Sequence, residues 1–106
     1  MKAQDFVIEP TNGRPDVRFK GELKASVSSA RHNSTQWTDI NAYKTVGGKW
    51  VIETLGQVSE DAPAHMECRV NVLVFDTTEA MTRKVGFGRL AEQLYKKLGI
   101  NEVTID

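Results

Sequence analysis

The sequence has little cysteine and no long apolar run. Cys68 is the only cysteine among 106 residues, so an internal disulfide cannot form. A lone cysteine is typical of proteins that stay in a reducing compartment. The N-terminal residues contain no apolar stretch of signal-peptide length, and no window is apolar enough for a membrane span. We therefore predict a cytoplasmic protein that does not enter a membrane.

An excess of charge of either sign is also missing. The 14 Lys and Arg residues balance 14 Asp and Glu residues, so the formal net charge is +0, and the pI is about 6.7. This balance does not favour nucleic acid as a partner, although a local basic patch is compatible with it. Hydrophobic residues make up 40% and charged residues 26%, as in an ordinary globular protein. The length predicts a single domain over residues 1–106.

Spacings that mark a metal or catalytic site are absent from the sequence. His32 and His65 lie far apart, and no CxxC or HxxxH pair occurs. Gly47-Gly48-Lys49 lacks the spacing of a phosphate-binding loop, and a strand pattern follows it instead of a helix. Gly86-Phe87-Gly88 likewise lacks the dinucleotide fingerprint. We predict a protein that is not an enzyme, with no catalytic residue, no metal ligand and no cofactor.

The clearest pattern that is present is a β-hairpin over residues 36–58. Gly47-Gly48 separates two runs rich in Trp, Tyr, Thr, Val and Ile, which predicts a type I′ turn between strands 36–46 and 49–58. In that register Tyr43 opposes Ile52, and directly opposed residues share a face. One face would then carry Trp37, Tyr43, Trp50, Ile52 and Val58.

The two faces of this hairpin lead to different expectations. We expect the aromatic face to be core beneath the C-terminal helix, because large aromatic residues usually dominate small cores. If the helix packs on the other face, the aromatic residues become a binding surface. The second face is mixed, so it is either covered as well or meets a partner.

Three further strands and a helical segment follow from periodicity. Residues 5–9 form a short strand, and residues 17–28 alternate, with Phe19, Gly21, Leu23, Ala25 and Val27 on one face. Residues 65–75 form the cleanest strand, in which we expect Cys68 to be buried as a small hydrophobe.

The end of the chain has helical spacing. Asp76 and Glu79 predict a capping box. Phe87 and the leucines after it predict a core-facing stripe, and Gly99 predicts the helix C-terminus. The fold prediction is α+β, with an antiparallel sheet of four to five strands and a helical segment over residues 77–98, kinked or broken near 86–88. The tail, residues 102–105, would add an edge strand and so favour a homodimer.

Three segments resemble the EXLDI family of small bacterial and mobile-element proteins. They are RFKGELKASVSS (18–29), QWTDINAYKTVGGKWVIET (36–54) and LGINEVTID (98–106). The closing Glu-Val-Thr-Ile-Asp departs from the order of the motif that names the family. The resemblance implies a small regulatory or accessory protein of a mobile element, and it brings no established activity.

We therefore expect a non-enzymatic protein-binding accessory or inhibitor module of phage or plasmid origin, for example an anti-defence inhibitor that blocks a partner's surface. The loop before the hairpin and the second face of the hairpin supply the candidate contacts, because loops on a rigid sheet often carry function. These candidates are Arg31, His32, Asn33, Lys44, Val51, Glu53 and Leu55.

The alternative is a nucleic-acid-binding or transcription-regulating module. It would use basic residues of the second strand and a basic helix face to contact phosphates. These candidates are Lys20, Lys24, Arg83, Lys84, Arg89, Lys96 and Lys97. An enzyme is the third hypothesis, and a pocket containing Arg31, His32 and a buried carboxylate would indicate it.

Overall fold

Five antiparallel strands and two short helices make up residues 3–100, the part of the chain that the computed structural model describes. The strands lie side by side in chain order, and both helices follow the last strand. The predicted α+β fold is therefore confirmed, whereas the predicted edge strand at 102–105 lies outside the described residues. The elements are β1 (Gln4–Ile8), β2 (Val17–Ser28), β3 (Gln36–Thr45), β4 (Trp50–Val58), β5 (Arg69–Phe75), α1 (Thr78–Val85) and α2 (Arg89–Leu98).

The turn between β3 and β4 differs from the predicted type I′ turn. The Gly48 amide donates to the Thr45 carbonyl at 2.9 Å, and the Thr45 amide donates to the Lys49 carbonyl at 2.9 Å. Of the two glycines only Gly48 has a positive φ, 86°. This is a three-residue hairpin loop with glycine in the left-handed position, and it shifts the register by one residue. Tyr43 consequently opposes Val51, not Ile52.

This one-residue shift divides the aromatic residues between the two faces of the sheet. Trp50 faces the helices, where its indole Nε1 donates to Thr78 Oγ1 at 3.1 Å. Lys44 lies on the same face, with its ammonium 4.2 Å from the centre of the Trp50 ring. Tyr43 points to the opposite face. The expectation that Trp37, Tyr43 and Trp50 share one face is therefore wrong, and Tyr43 and Trp50 are both buried.

An extra residue in β2 breaks its apparent alternation. The pairing with β3 shifts between Leu23 and Ala25, which leaves Lys24 as a bulge. Phe19 consequently packs on one face of the sheet, whereas Ala25 and Val27 pack on the other. The expected single face for these residues is wrong. Position 21 needs a glycine, because a Cβ there would collide with the carbonyl oxygen of Lys44.

Two hydrophobic clusters result, one on each face of the sheet. On the helix face, α1 and α2 cover the sheet. The buried members are Ala25, Val27, Ile40, Ala42, Trp50, Ile52, Met81, Ala91, Leu94 and Tyr95. On the opposite face, here called the concave face, the cluster consists of Ile8, Tyr43, Val51 and Val72 with Phe6, Val17, Phe19 and Val70 packed against them. The concave face is therefore covered in part as well.

The concave face is covered because the sheet curls and its two edges approach each other. The loop after β1 reaches β5, where the Thr11 amide donates to the Val70 carbonyl at 2.9 Å. The Val70 amide in turn donates to Thr11 Oγ1 at 3.0 Å. Phe6, Phe19 and Tyr43 fill the space inside, with ring centroids 4.9 to 5.3 Å apart.

The helical segment breaks where the two glycines predicted. Tyr95 in α2 donates its hydroxyl to the Gly86 carbonyl at 2.6 Å and so ties the helices together. The N-cap of α1 is Thr77 instead of Asp76, since Thr77 Oγ1 accepts from the Ala80 amide at 3.1 Å. Gly99 has a φ of 75° and ends α2 as predicted.

Two hydrophobic residues are more exposed than the sequence patterns predicted. Phe87 is 63% exposed, because it lies in the break between the helices. Among the described aromatic residues it meets only Tyr95, in a T-shaped ring pair.

Strand β5 begins at Arg69, so the predicted start at residue 65 is wrong. Cys68 lies before the strand and is exposed, which corrects its expected burial.

Candidate functional site

The second half of β2 has a sheet neighbour on one side only. Strand β1 pairs with β2 only as far as Gly21, whereas β2 continues to Ser28. The Ser29 amide donates to the Thr38 carbonyl at 2.9 Å, which fixes the alternation of backbone groups in this half of the strand. The amide and carbonyl groups of Ser26 and Ser28 therefore point away from β3. We call residues 24–28 the β2 edge, and it is unpaired by any strand among residues 3–100.

Helix α2 runs back along the β2 edge. Arg89, Gln93 and Lys97 are four residues apart and so lie in one row on the helix surface. At one end of the row, the Lys97 ammonium donates to the outward carbonyl of Ser26 at 2.7 Å. At the other end, the helix and the end of β2 enclose a cleft of about 390 Å³. It is lined by Ser28, Ser29, Ala30, Arg31, Arg89, Leu90 and Gln93.

This cleft, here called the arginine cleft, brings together two positive charges. Arg31 comes from the loop after β2 and Arg89 from the first turn of α2, and no acidic residue belongs to the lining. Within residues 3–100, neither guanidinium lies within 4.0 Å of a carboxylate oxygen. Two cations that share a cleft without a counter-charge favour the entry of an anion.

The loop that carries Arg31 is held by local hydrogen bonds. The Arg31 amide donates to Ser34 Oγ at 2.8 Å, and the Ser34 amide donates back to the Arg31 carbonyl at 3.0 Å. Asn33 takes the left-handed conformation that this tight turn needs, with a φ of 65°. Ser29 Oγ accepts from the Thr38 amide at 2.8 Å and fastens the loop to β3.

A row of polar side chains lies beside the β2 edge on the concave face. The Ser26 hydroxyl donates to Asn41 Oδ1 at 2.7 Å, and Asn41 Nδ2 donates to Glu53 Oε1 at 3.0 Å. The Tyr43 hydroxyl donates to the same Glu53 oxygen at 3.0 Å. Burial, and then the nearby Glu53 carboxylate, raise the pKa of Tyr43 to about 12, so it remains a donor at neutral pH.

This polar row opens into a groove of about 480 Å³ that reaches the β2 edge. The lining residues are Ser26, Val27, Ser28, Asp39, Asn41, Leu55, Gln57 and Lys97. Asp39 Oδ2 accepts from Gln57 Nε2 at 3.3 Å, whereas its Oδ1 is buried without a hydrogen-bond partner among the described residues. Side chains of one bound segment could therefore reach the arginine cleft on one side and this groove on the other.

A wider cleft of about 630 Å³ lies at the end of the sheet, between β3, β4 and the loop before β5. Its lining includes Glu67 and Arg69, so it carries both signs of charge. Unlike the arginine cleft, it does not favour a ligand of one charge.

The predicted partner-binding residues fall in three places. Arg31, His32 and Asn33 are exposed in the loop that follows the β2 edge, and Leu55 lines the concave groove. Glu53 belongs to the polar row, while Lys44 lies on the helix face over Trp50.

One member of this predicted set must be withdrawn. Val51 is 1% exposed, so its assignment to a binding surface is wrong. The shifted hairpin register turns Val51 towards the concave face, beside Tyr43 and Val72, where the curled sheet covers it.

The seven basic residues of the alternative hypothesis are all exposed but dispersed. Lys24 pairs with Glu22 at 2.9 Å, and Lys20 stands opposite Asp5 in the sheet. Arg83 and Lys84 lie in the last turn of α1, and Arg89, Lys96 and Lys97 lie in α2.

Sequence reasoning missed Ser26, Ser28 and Gln93 as site residues. The four-residue spacing of Arg89, Gln93 and Lys97 was a visible signal for a row on one helix face. No sequence pattern predicts the unpaired β2 edge, because the edge exists only where β1 stops pairing with β2.

No protein family, curated protein or solved structure matches this chain. In the described part of the chain, no three His, Cys, Asp or Glu side chains come together as a set of metal ligands. Neither α1 nor α2 has the length and apolar character needed to cross a membrane.

Proposed function

We propose that this chain is a non-enzymatic protein-binding module that takes up an extended segment of a partner protein along the β2 edge. The observation that carries the proposal is that β1 stops pairing with β2 at Gly21, which leaves the outward backbone groups of Ser26 and Ser28 without a neighbouring strand among the described residues. An exposed strand edge is a ready template for one more strand.

The edge is built to hold such a segment with little rearrangement. It belongs to a five-stranded sheet, so binding would order few groups on this side apart from Lys97, whose ammonium would leave the Ser26 carbonyl. Each new backbone hydrogen bond contributes roughly 0.5–1.5 kcal/mol net. Because side chains of a strand alternate, those of the bound segment would point in turn towards the arginine cleft and the concave groove.

The contents of the arginine cleft support a binding role over catalysis. An enzyme at this place would need a pocket that combines Arg31 with His32 and a buried carboxylate. The arginine cleft contains neither of the latter two. The hydroxyls of Ser28 and Ser29 accept hydrogen bonds from the backbone amides of Ala30 and Thr38, which fits structural roles for both.

Covering a partner's segment would withhold it from other proteins. An accessory or inhibitor protein of the mobile-element type that the EXLDI resemblance implies would act in this way, by blocking a surface. The proposal includes an origin in a phage or plasmid.

The test is a substitution that removes one outward amide and leaves the sheet intact. Proline is tolerated at an edge position whose amide points outward, so Ser28→Pro should fold while losing one donor to the bound strand. Ser28→Ala, which retains the amide, is the matched control. Peptides selected on the wild-type chain from a random library should bind Ser28→Ala normally and Ser28→Pro about tenfold more weakly. Equal binding to both folded variants would sink the proposal.

Nucleic acid is the second candidate, and the positions of Arg31, Arg89 and Lys97 along one edge favour it. Phosphates could then occupy the places that we assign to a peptide. Binding of mixed DNA or RNA should in that case weaken steeply as salt rises. No binding even at low salt would reject this candidate.

A further inference from the structure

We infer that the segment bound along the β2 edge is acidic, with two carboxylate side chains four residues apart. This inference rests on the proposed function and names the chemistry of the partner. One carboxylate enters the arginine cleft, and the other pairs with Lys97.

The arginine cleft supplies the first half of the pattern. Two arginine residues, Arg31 and Arg89, line about 390 Å³ of space with no acidic residue in the lining. The planar guanidinium fork matches the geometry of a carboxylate and binds it through paired hydrogen bonds. The Ser28 end of the edge belongs to this cleft, so a strand paired with the edge passes its mouth.

Lys97 supplies the second half. Its ammonium donates to the outward carbonyl of Ser26, which a bound strand would need as an acceptor. Lysine at a strand edge commonly discourages pairing with the wrong strand. An incoming amide would replace the ammonium at this carbonyl, and a carboxylate on the same segment would then receive the displaced charge. A segment without that carboxylate would leave the ammonium without its partner.

The spacing follows from the geometry of a helix beside a strand. Arg89 and Lys97 are eight residues apart, which is about 12 Å along a helix at 1.5 Å per residue. Four residues of an extended strand span about 13 Å at 3.3 Å each. Side chains at positions i and i+4 of a strand share one face. The middle residue of the three on that face would meet the Gln93 amide, so we expect it to be polar.

The resulting pattern is acid, any residue, polar residue, any residue, acid. The probe is a labelled peptide containing Glu-Val-Thr-Val-Glu, and the control peptides carry Gln in place of one or both Glu residues. Anisotropy should show that each Glu→Gln change weakens binding about tenfold, because each removes a charge-assisted contact.

Variants of the chain identify which charge meets which carboxylate. Arg31→Ala, Arg89→Gln and Lys97→Ala should each weaken binding of the acidic peptide, whereas Lys84→Ala, on the other helix, should not. Arg89→Glu should recover binding to a peptide in which the Glu that enters the arginine cleft is replaced by Lys. A merely structural role for Arg89 would not produce that recovery.

The outcomes separate this inference from the proposed function. If the Gln peptides bind as tightly as the acidic one and Ser28→Pro still weakens all of them, only the acidic preference is overturned. If no extended peptide binds, the proposed function fails. Single-stranded DNA that displaces the peptide and depends on the same three cations would overturn the inference in favour of nucleic acid.

The chain's own sequence offers a competing occupant. Glu102 and Asp106 are four residues apart with Thr104 between them, which is the same pattern. A chain carrying Glu102→Gln and Asp106→Asn should bind the acidic peptide with unchanged affinity. Tighter binding by that variant would assign the edge to this chain's own segment and overturn the inference of a separate partner.

Discussion

Removing the Thr11 hydroxyl should loosen the closure of the curled sheet. Thr11→Val keeps the shape of the side chain and its backbone amide, which donates to the Val70 carbonyl at 2.9 Å. It removes Oγ1, the acceptor for the Val70 amide at 3.0 Å. That hydroxyl also donates to the Val70 carbonyl at 3.3 Å, a longer and weaker contact. The substitution therefore removes one hydrogen bond of ordinary length and one longer, weaker one.

The expected loss of stability is about 1 kcal/mol. A neutral hydrogen bond contributes roughly 0.5–1.5 kcal/mol net, and a buried amide left unpaired costs roughly 1–3 kcal/mol. Thr11 is exposed, so water can replace part of the lost bond, which favours the lower values. In a domain of this size, about 1 kcal/mol lowers the melting temperature by roughly 4–8 °C.

Thermal unfolding and amide hydrogen exchange measure the two consequences. The Val70 amide should exchange faster in Thr11→Val than in the wild type, while amides in the centre of β3 change little. Thr35→Val is the matched control, because Thr35 is exposed and its hydroxyl bonds to no described residue. An unchanged melting temperature together with an unchanged Val70 exchange rate would show that this link does not hold the edges together.

Two further perturbations test the two clusters. Leu94 of α2 is fully buried in the cluster between the helices and the sheet, so Leu94→Ala should destabilise the chain by about 2–5 kcal/mol. A loss below about 1 kcal/mol in urea unfolding would contradict the packing of α2 on the sheet. The raised pKa of Tyr43 means that the folded state retains this proton longer than the unfolded state. Stability should therefore fall as pH rises from about 10 to about 12. Tyr43→Phe should show a shallower fall over that range, and identical slopes for the two proteins would count against the burial of the Tyr43 hydroxyl beside Glu53.

Much of the fold follows from local pattern. Alternation, strand-favouring residues and the Gly47-Gly48 turn located all five strands, although β5 starts later than predicted. The helix break coincides with Gly86 and Gly88, which are unfavourable inside a helix. The left-handed Gly99 was predictable because glycine tolerates a positive φ.

The register of the hairpin could not be derived in the same way. Two adjacent glycines satisfy both a type I′ turn and a three-residue loop with a left-handed second glycine. Only the hydrogen bonds of Thr45 decide between them. The turn type determines that Tyr43 and Val51 share a face. Because the type I′ turn was wrong, Val51 was predicted to be a contact residue although it is buried.

The candidate site was predictable only in part. Arg31 was identified from its loop, and Arg89 and Lys97 from the basic helix face, but they were assigned to two different hypotheses. What unites them is a free strand edge, and its existence depends on the length of β1 relative to β2. Relative strand length is a tertiary property that hydrophobic periodicity does not report.

The bulge at Lys24 has a consequence for insertions and deletions. Strand β2 supplies Phe19 to one cluster and Val27 to the other, and the single extra residue is what changes its phase between them. Deleting Lys24 would leave Leu23 opposite Tyr43 and Ala25 opposite Ala42, so the strand would lose its bulge while Ala25 and Val27 stayed on the side of α2. Sequences that diverge from this one should therefore tolerate both substitution at position 24, since its side chain is exposed, and the loss of that position. Ala25 and Val27 keep their face in either case, because their pairing with β3 sets it and not their distance in sequence from Phe19.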